Sequence, residues 1–253
     1  MTLQFNGKNL ANVLYNGKQL ETLQLNGKTV WTKIPLTETI KPGTVIFESS
    51  KAGDYTVEIP VEGTYDIICV GAGGGSATYI YVWSNIASNW RSSSAAGGAG
   101  GVFRGTETLL AGEYKVRIGR GGTGYGGYSK YNSLGAQPAF PSAIRGGDGG
   151  LSSFDYIVSQ GGKGGYAYAG AATGGAGGTG ITSTGGKGGG IYVNSGVYES
   201  DSYKYINTSA NGGSNIIGMG VGGGCNNSYT TSHGYTSWRA NGGANGYIKI
   251  TKA

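Results

Sequence analysis

The sequence predicts an all-β, partly irregular protein: a small N-terminal β-meander, a collar of β-strands, and a bundle of polyglycine-II helices joined by long loops, with essentially no α-helix. Three observations carry that expectation. Glycine supplies 54 of 253 residues, against a usual share of ~7%, so side chains alone cannot fill an ordinary interior. The glycines recur as short G-G-x-G-G runs, and a period of three is that of a polyproline-II-type helix. No segment sustains the 3.6-residue period of an amphipathic α-helix. Disorder would leave few aromatics, whereas 19 Tyr, 4 Trp and 5 Phe are interleaved with Val and Ile.

The first 33 residues repeat every ten: "LQFNGKNLAN", "VLYNGKQLET", "LQLNGKTVW". Asn-Gly between apolar residues is a strong hairpin signal, because both central positions of a type I′ turn need positive φ. Asn6-Gly7, Asn16-Gly17 and Asn26-Gly27 therefore predict a small β module over 1–33, with Leu3, Phe5, Val13, Tyr15, Leu23 and Leu25 on one side. Three short hairpins bury little by themselves, which makes the module an expected mounting or assembly contact. Residues 34–43 read as a linker, since Pro35 and Pro42 break strand pairing. The glycine-rich domain is expected over 44–253, opening with strands in "GTVIFESS", "YTVEIPV" and "TYDIICV".

Glycine runs then recur from "GAGGG" at Gly71 to "GGANG" at Gly242. A polyglycine-II helix makes no internal hydrogen bonds, so buried N–H and C=O groups must pair with neighbouring helices. Two glycines in three let backbones approach on several sides. The stretch "VGAGGGSA" also looks like the start of a dinucleotide-binding turn. That reading fails because the third fingerprint position falls on Ser76, "TYIYVWSN" follows instead of a helix, and the motif recurs without its flanking elements. Lys163 and Lys187 follow Gly-Gly but precede Gly, so there is no P-loop either.

The net charge is +6 with dispersed cations, which tilts the surface toward anionic partners such as acidic polysaccharide and gives no nucleic-acid footprint. Cys69 and Cys225 are too few for a metal box and are expected as free buried thiols, with pairing the alternative. The N-terminus lacks a signal-peptide pattern and no apolar run approaches ~20 residues. Synthesis in a host cytoplasm and no membrane insertion are the expectations. His233 is the only histidine, without a nucleophile motif, and the 13 carboxylates form no close pair in the glycine-rich body beyond "ESD" at 199–201. No enzymatic activity, catalytic residue, metal or cofactor is expected.

At these residues the sequence resembles the glycine-rich tail-fibre tip adhesins of tailed bacteriophages, above all the T-even type. Strands ending in "CVGAGGG", repeated "GGxGG" runs separated by aromatic segments, and a closing "GGANGYIKI" carry the likeness over 42–253. The resemblance implies a sandwich of polyglycine-II helices whose tip loops bind a bacterial surface receptor, either an outer-membrane protein or a surface glycan. It also implies a virion location at the tail fibre or tail tip. Residues 1–33 do not match that family's fibre-attachment domain and are expected to contact another phage tail or fibre protein. The alternatives are a virion structural protein without receptor binding and a polysaccharide depolymerase.

If each run crosses the bundle once, connections alternate between its two ends. Segments 76–96, 128–145, 166–173 and 191–210 then share one end, and 102–118, 151–160 and 179–184 the other. Segment 225–240 joins the first end if the chain turns near Asn215. Parity concentrates aromatics there, and Tyr and Trp give large contact area with few rotors to freeze. The expected receptor-binding residues are Tyr79, Tyr81, Trp83, Trp90, Tyr128, Tyr131, Tyr166, Tyr168, Tyr192, Tyr198, Tyr203, Tyr205, Tyr229, His233, Tyr235, Trp238 and Arg239.

Overall fold

The structure is a computed structural model. It describes residues 4–5, 8–9, 14–15, 18–19, 22–25, 28–32, 40–83, 89–130, 143–168, 171–195, 205–230 and 235–253. The chain divides into two units, Met1–Ile40 and Lys41–Ala253. Among the described residues both are built from strands and irregular segments, with no α-helix.

In the first unit each NGK repeat is flanked by its own antiparallel pair: β1 (Gln4–Phe5) with β2 (Lys8–Asn9), β3 (Leu14–Tyr15) with β4 (Lys18–Gln19), and β5 (Thr22–Leu25) with β6 (Lys28–Thr32). Phe5 pairs with Lys8, Tyr15 with Lys18 and Leu25 with Lys28, which leaves two residues between the arms. That is the loop length an Asn-Gly turn selects. The expected continuous meander is not formed among the described residues: each hairpin is a separate two-stranded sheet.

The second unit alternates strands with glycine runs. Strands β7 (Val45–Ser49), β8 (Gly53–Ile59) and β9 (Gly63–Val70) lead into run 71–76. Strands β10 (Ala77–Trp83) and β11 (Asn89–Ala95) return the chain to run 96–101, and β12 (Val102–Leu109) and β13 (Gly112–Ile118) turn it into run 119–124. Next come β14 (Tyr125–Lys130), β15 (Ile144–Arg145), run 146–150, β16 (Ser152–Phe154), β17 (Ile157–Ser159), run 160–165, β18 (Tyr166–Tyr168), β19 (Ala171–Thr173) and run 174–180. A short turn gives run 184–189, then β20 (Gly190–Ser195), β21 (Tyr205–Ala210), run 211–215, a second turn and run 219–224. Strands β22 (Cys225–Thr230) and β23 (Tyr235–Ala240), run 241–246 and β24 (Tyr247–Lys252) complete it.

The runs pair with three-residue periodicity. From run 71–76, Gly71 and Gly74 donate to Gly101 and Gly98, Ala72 and Gly75 to Gly150 and Gly147, and Gly73 and Ser76 to Ala244 and Asn241, all at 2.8–3.0 Å. Its carbonyls accept from Gly122, Gly162 and Gly223. Six runs therefore surround it. Run 96–101 is enclosed in the same way: it donates to runs 160–165, 184–189 and 219–224, and accepts from 71–76, 174–180 and 211–215. Bonds between the outer runs close the ring. The pattern is three layers: 146–150, 160–165 and 174–180; then 119–124, 71–76, 96–101 and 184–189; then 241–246, 219–224 and 211–215.

Every N–H of both central runs is thus used, which satisfies the requirement on buried backbone groups. A Cβ on Gly74, Gly97 or Gly98 would overlap the carbonyl of Lys163, Gly74 or Ala176 respectively. Only Gly220, at φ 60°, adopts positive φ inside a run. The glycine content therefore serves close approach rather than turning. In the outer runs the third position faces solvent and carries a side chain, as at Thr123, Asp148, Lys163, Ala176, Lys187, Ser214 and Ala244. Side chains also close the rim: Asn245 Oδ1 accepts from Gly121 N–H at 3.0 Å, and Asn241 Nδ2 donates to the Gly224 carbonyl at 2.9 Å.

One end of the lattice runs into a β-sandwich of sheets β12-β9-β24-β7 and β17-β16-β13-β8. Alternation fills its core with Val57, Ile59, Tyr65, Ile67, Cys69, Val116, Ile118, Phe154, Ile157, Ile248 and Ile250. Three tyrosines lock hairpin geometry by donating to the carbonyl four residues back: Tyr55 to Lys51, Tyr65 to Val61 and Tyr114 to Leu110. At the other end each layer continues as a sheet of its own: β15-β18-β19, β14-β10-β11-β20 and β21-β22-β23.

Candidate functional site

The alternation of passes decides what each end presents. Run 211–215 and run 219–224 are joined by a turn that Asn215 organises: its Oδ1 accepts from the N–H groups of Ile217 and Gly218, and its Nδ2 donates to the Gly100 and Met219 carbonyls. Positive φ at Gly218 and Gly220 completes the reversal. The two passes foreseen near Asn215 are therefore present, and β22–β23 lies at the end opposite the sandwich. Strands β10, β11, β14, β15, β18, β19, β20 and β21 share that end.

The described parts of the segments at that end are mostly strands, and the connections expected as long loops lie largely outside the described residues. The lattice explains the strands, because a run that already pairs with its neighbours passes its register directly into a ladder. Tyr81, Trp83, Trp90, Tyr128, Tyr192, Tyr205, Tyr229, Tyr235 and Trp238 occupy strand positions in β10, β11, β14, β20, β21, β22 and β23. Arg239 is exposed and lies opposite Asn226. Tyr131, Tyr198, Tyr203 and His233 lie outside the described residues.

Tyr79 corrects the expectation attached to it. Only 4% of it is exposed, in a cluster with Ala77, Ala95 and Ala167 against which Ile144 and Ala172 pack. Small residues of its own sheet and of the neighbouring sheet β15-β18-β19 leave a space that one ring fills, so Tyr79 is core at the root of the tip. Tyr166 and Tyr168 are 41% and 37% exposed, with ring centroids 5.5 Å apart and planes at 52°. Both lie on the outer face of β18, while Ala167 between them is buried.

Beside these rings is a charged cluster that the aromatic-based reading missed. Asp148 accepts from Arg145 at 3.1 Å, Lys163 at 3.0 Å and the Gly164 N–H at 2.9 Å. Partial burial alone would raise its pKa, but the Gly164 hydrogen bond, Lys163 and Arg145 together hold the carboxyl below the usual range. The signal was present in sequence: Arg145 and Asp148 are three apart, as are Lys163 and Tyr166, which is one polyglycine turn. At the sandwich end a groove of about 540 Å³ is lined by Asp66, Ile68, Arg104, Thr106, Lys249 and Thr251. None of the expected recognition residues lines it.

Cys69 and Cys225 are free and buried, as expected of two separate thiols. Burial pushes both thiols up to about 11, and burial followed by the Glu48 hydrogen bond raises Tyr247 to about 12. The folded state therefore keeps these protons after the unfolded chain has lost them. The contribution of the two thiols to stability is fully present below pH 9 and is lost as pH rises from 9 through 11, because the folded state binds more protons in that window. Thermal melting followed from pH 8 to 11 is expected to show a progressive drop above pH 9, and a flat profile contradicts it. Among the described residues no group of His, Cys, Asp and Glu is placed to hold a metal ion, and no helix is long and apolar enough to cross a membrane.

A hydrogen-bonded glycine lattice, capped at one end by a sandwich and at the other by three aromatic-bearing sheets, defines a glycine-rich all-β protein. The sequence model of the glycine-rich domain family matches residues 49–251, and the chain belongs to that family. No curated protein matches the chain.

Proposed function

We propose that the protein is a bacteriophage receptor-binding protein, the adhesin at a tail-fibre tip, which recognises a bacterial surface receptor through the aromatic-rich end of the glycine lattice. The observation that carries this reading is the gathering of aromatic-bearing strands from three sheets at one end of a scaffold whose two central runs are enclosed on all sides. Recognition residues on a rigid support lose little entropy on binding. The three NGK hairpins supply a separate module for contact with another tail or fibre protein, and the virion is the corresponding location.

The test is binding of amine-labelled protein to a panel of bacterial strains, beside a variant with Tyr198, Tyr203 and Tyr205 changed to Ala. Strain-selective binding that the variant loses, at unchanged melting temperature, is the expected result. A folded wild-type protein that binds no strain overturns the adhesin reading.

A further inference from the structure

The outer face of the sheet β15-β18-β19 carries a platform that the adhesin reading leaves undefined. Its register places Arg145 opposite Tyr166 and Thr173 on the other side of Tyr166, while Tyr168 lies opposite Ala171. Arg145, Tyr166, Tyr168 and Thr173 are all exposed, and Ile144, Ala167 and Ala172 pack inward against the Tyr79 cluster. Ser93 Oγ donates to the Tyr168 carbonyl at 2.6 Å, which ties this sheet to the layer beneath. One polyglycine turn nearer the sandwich, Lys163 and Asp148 extend the same face, ion-paired at 3.0 Å.

Each part has a chemical consequence. Two rings 5.5 Å apart and inclined by 52° frame a shallow trough, apolar on its walls and with hydroxyls at its edges. A pyranose matches such a surface, because its axial C–H groups form an apolar face while its hydroxyls project sideways. Arg145 and Lys163 bring two positive charges against the single carboxylate of Asp148, and the side chains of both cations are 58% exposed. Their remaining donors are therefore turned to solvent beside the trough. The surplus charge selects an acidic sugar, and Arg matches a carboxylate in bidentate geometry. A protein receptor would require a broader apolar patch than two rings ringed by charged and polar groups.

We infer that Tyr166 and Tyr168, with Arg145 and Lys163, form a binding site for an acidic saccharide on the flank of the tip. The inference rests on the adhesin reading for its biological setting and names the ligand class that this part of the surface takes. Asp148 acts as a positioning residue: it holds both cations at the edge of the trough and fixes their spacing.

Purified protein is tested on immobilised polygalacturonate, hyaluronate and polysialic acid, with dextran as the neutral control. The expected result is binding to at least one acidic polymer and none to dextran, weakening as salt is raised. Tyr166→Ala with Tyr168→Ala is expected to lower affinity by about tenfold or more, equivalent to one aromatic contact of the usual size. Arg145→Gln should give a smaller loss with a shallower salt dependence, and melting temperatures should match the wild type. Absence of binding to all three acidic polymers overturns the inference, as does unchanged affinity in the double tyrosine variant. Loss of strain binding by that variant without any polymer binding assigns the face to a protein receptor and overturns the saccharide site alone. Polymer binding by a protein that adheres to no strain supports the site and overturns the adhesin reading instead.

Discussion

Gly98→Ala is expected to yield no stably folded protein, and Gly189→Ala to yield one that melts like the wild type. The deciding difference is where a methyl group would go: Gly98 is buried in an enclosed run, and Gly189 is exposed in an outer one. At Gly98 the methyl would overlap the carbonyl of Ala176, which already accepts from Lys163 N–H at 2.8 Å. Gly98 itself donates to Lys163 and accepts from Gly74, both at 2.9 Å. Moving any of these chains breaks bonds in two others, since each run is held by its neighbours and has no internal ladder to fall back on. Overpacking in an ordinary core costs ~1–3 kcal/mol because side chains shift. Here only backbone can shift, so the loss should approach the ~5–15 kcal/mol that holds a domain together.

At Gly189 the nearest atom to an added Cβ is the Asn211 carbonyl oxygen at 3.5 Å, an ordinary contact. The substitution also removes conformational freedom from the unfolded chain, so its effect should lie within ~1 kcal/mol of zero and on the stabilising side. Gly175→Val and Gly188→Val should behave like Gly98→Ala, because a Cβ there overlaps the Lys163 or Ala96 carbonyl. Soluble yield and melting temperature read all four variants. Equal stability of Gly98→Ala and Gly189→Ala contradicts a lattice held together by close backbone approach.

Much of this arrangement was legible in sequence. The period of three, the Asn-Gly hairpins, the alternating strands around Tyr65 and the parity of the connections all follow from local rules. The turn at Asn215 was visible as a break between "NGG" and "GMG". The adjacency of the runs was not read, although a signal existed: the two enclosed runs, "GAGGGS" at 71–76 and "AGGAGG" at 96–101, carry only Ala or Ser besides glycine. Most outer runs place Arg, Asp, Lys, Thr, Asn or Ser at the third position, where it meets water. Tyr79 was misread because its partners Ala95, Ala167 and Ile144 come from distant segments, and an isolated tyrosine in an aromatic stretch carries no mark of the space around it. The cluster of Arg145, Asp148 and Lys163 was missed because an ion pair across two runs depends on which runs are neighbours.

The lattice and the sandwich are expected to unfold together, and Phe154→Ala tests this with a large effect. Phe154 is 1% exposed and stacks on Tyr114, with centroids 5.3 Å apart and planes at 19°. Removing the ring leaves a cavity between the two sheets, a change that costs ~3–5 kcal/mol in well-packed cores. That energy would be confined to the sandwich if the two parts were separable, but the chain makes them continuous. Strand β16 follows run 146–150 and β17 precedes run 160–165, so both arms of the Phe154 hairpin are lattice runs carried onward. At the junction, buried Ser152 accepts from Gly119 N–H at 3.0 Å and buried Ser159 donates to the Cys69 carbonyl at 2.8 Å. Loosening the sandwich therefore exposes the ends of runs whose N–H groups depend on fixed neighbours. Calorimetry of Phe154→Ala should show one transition at a lower temperature, with calorimetric and van't Hoff enthalpies equal. Two transitions, the first lowered and the second unmoved, would mean that the glycine lattice stands without the sandwich; the hydrogen bonds between the ten runs would then suffice on their own.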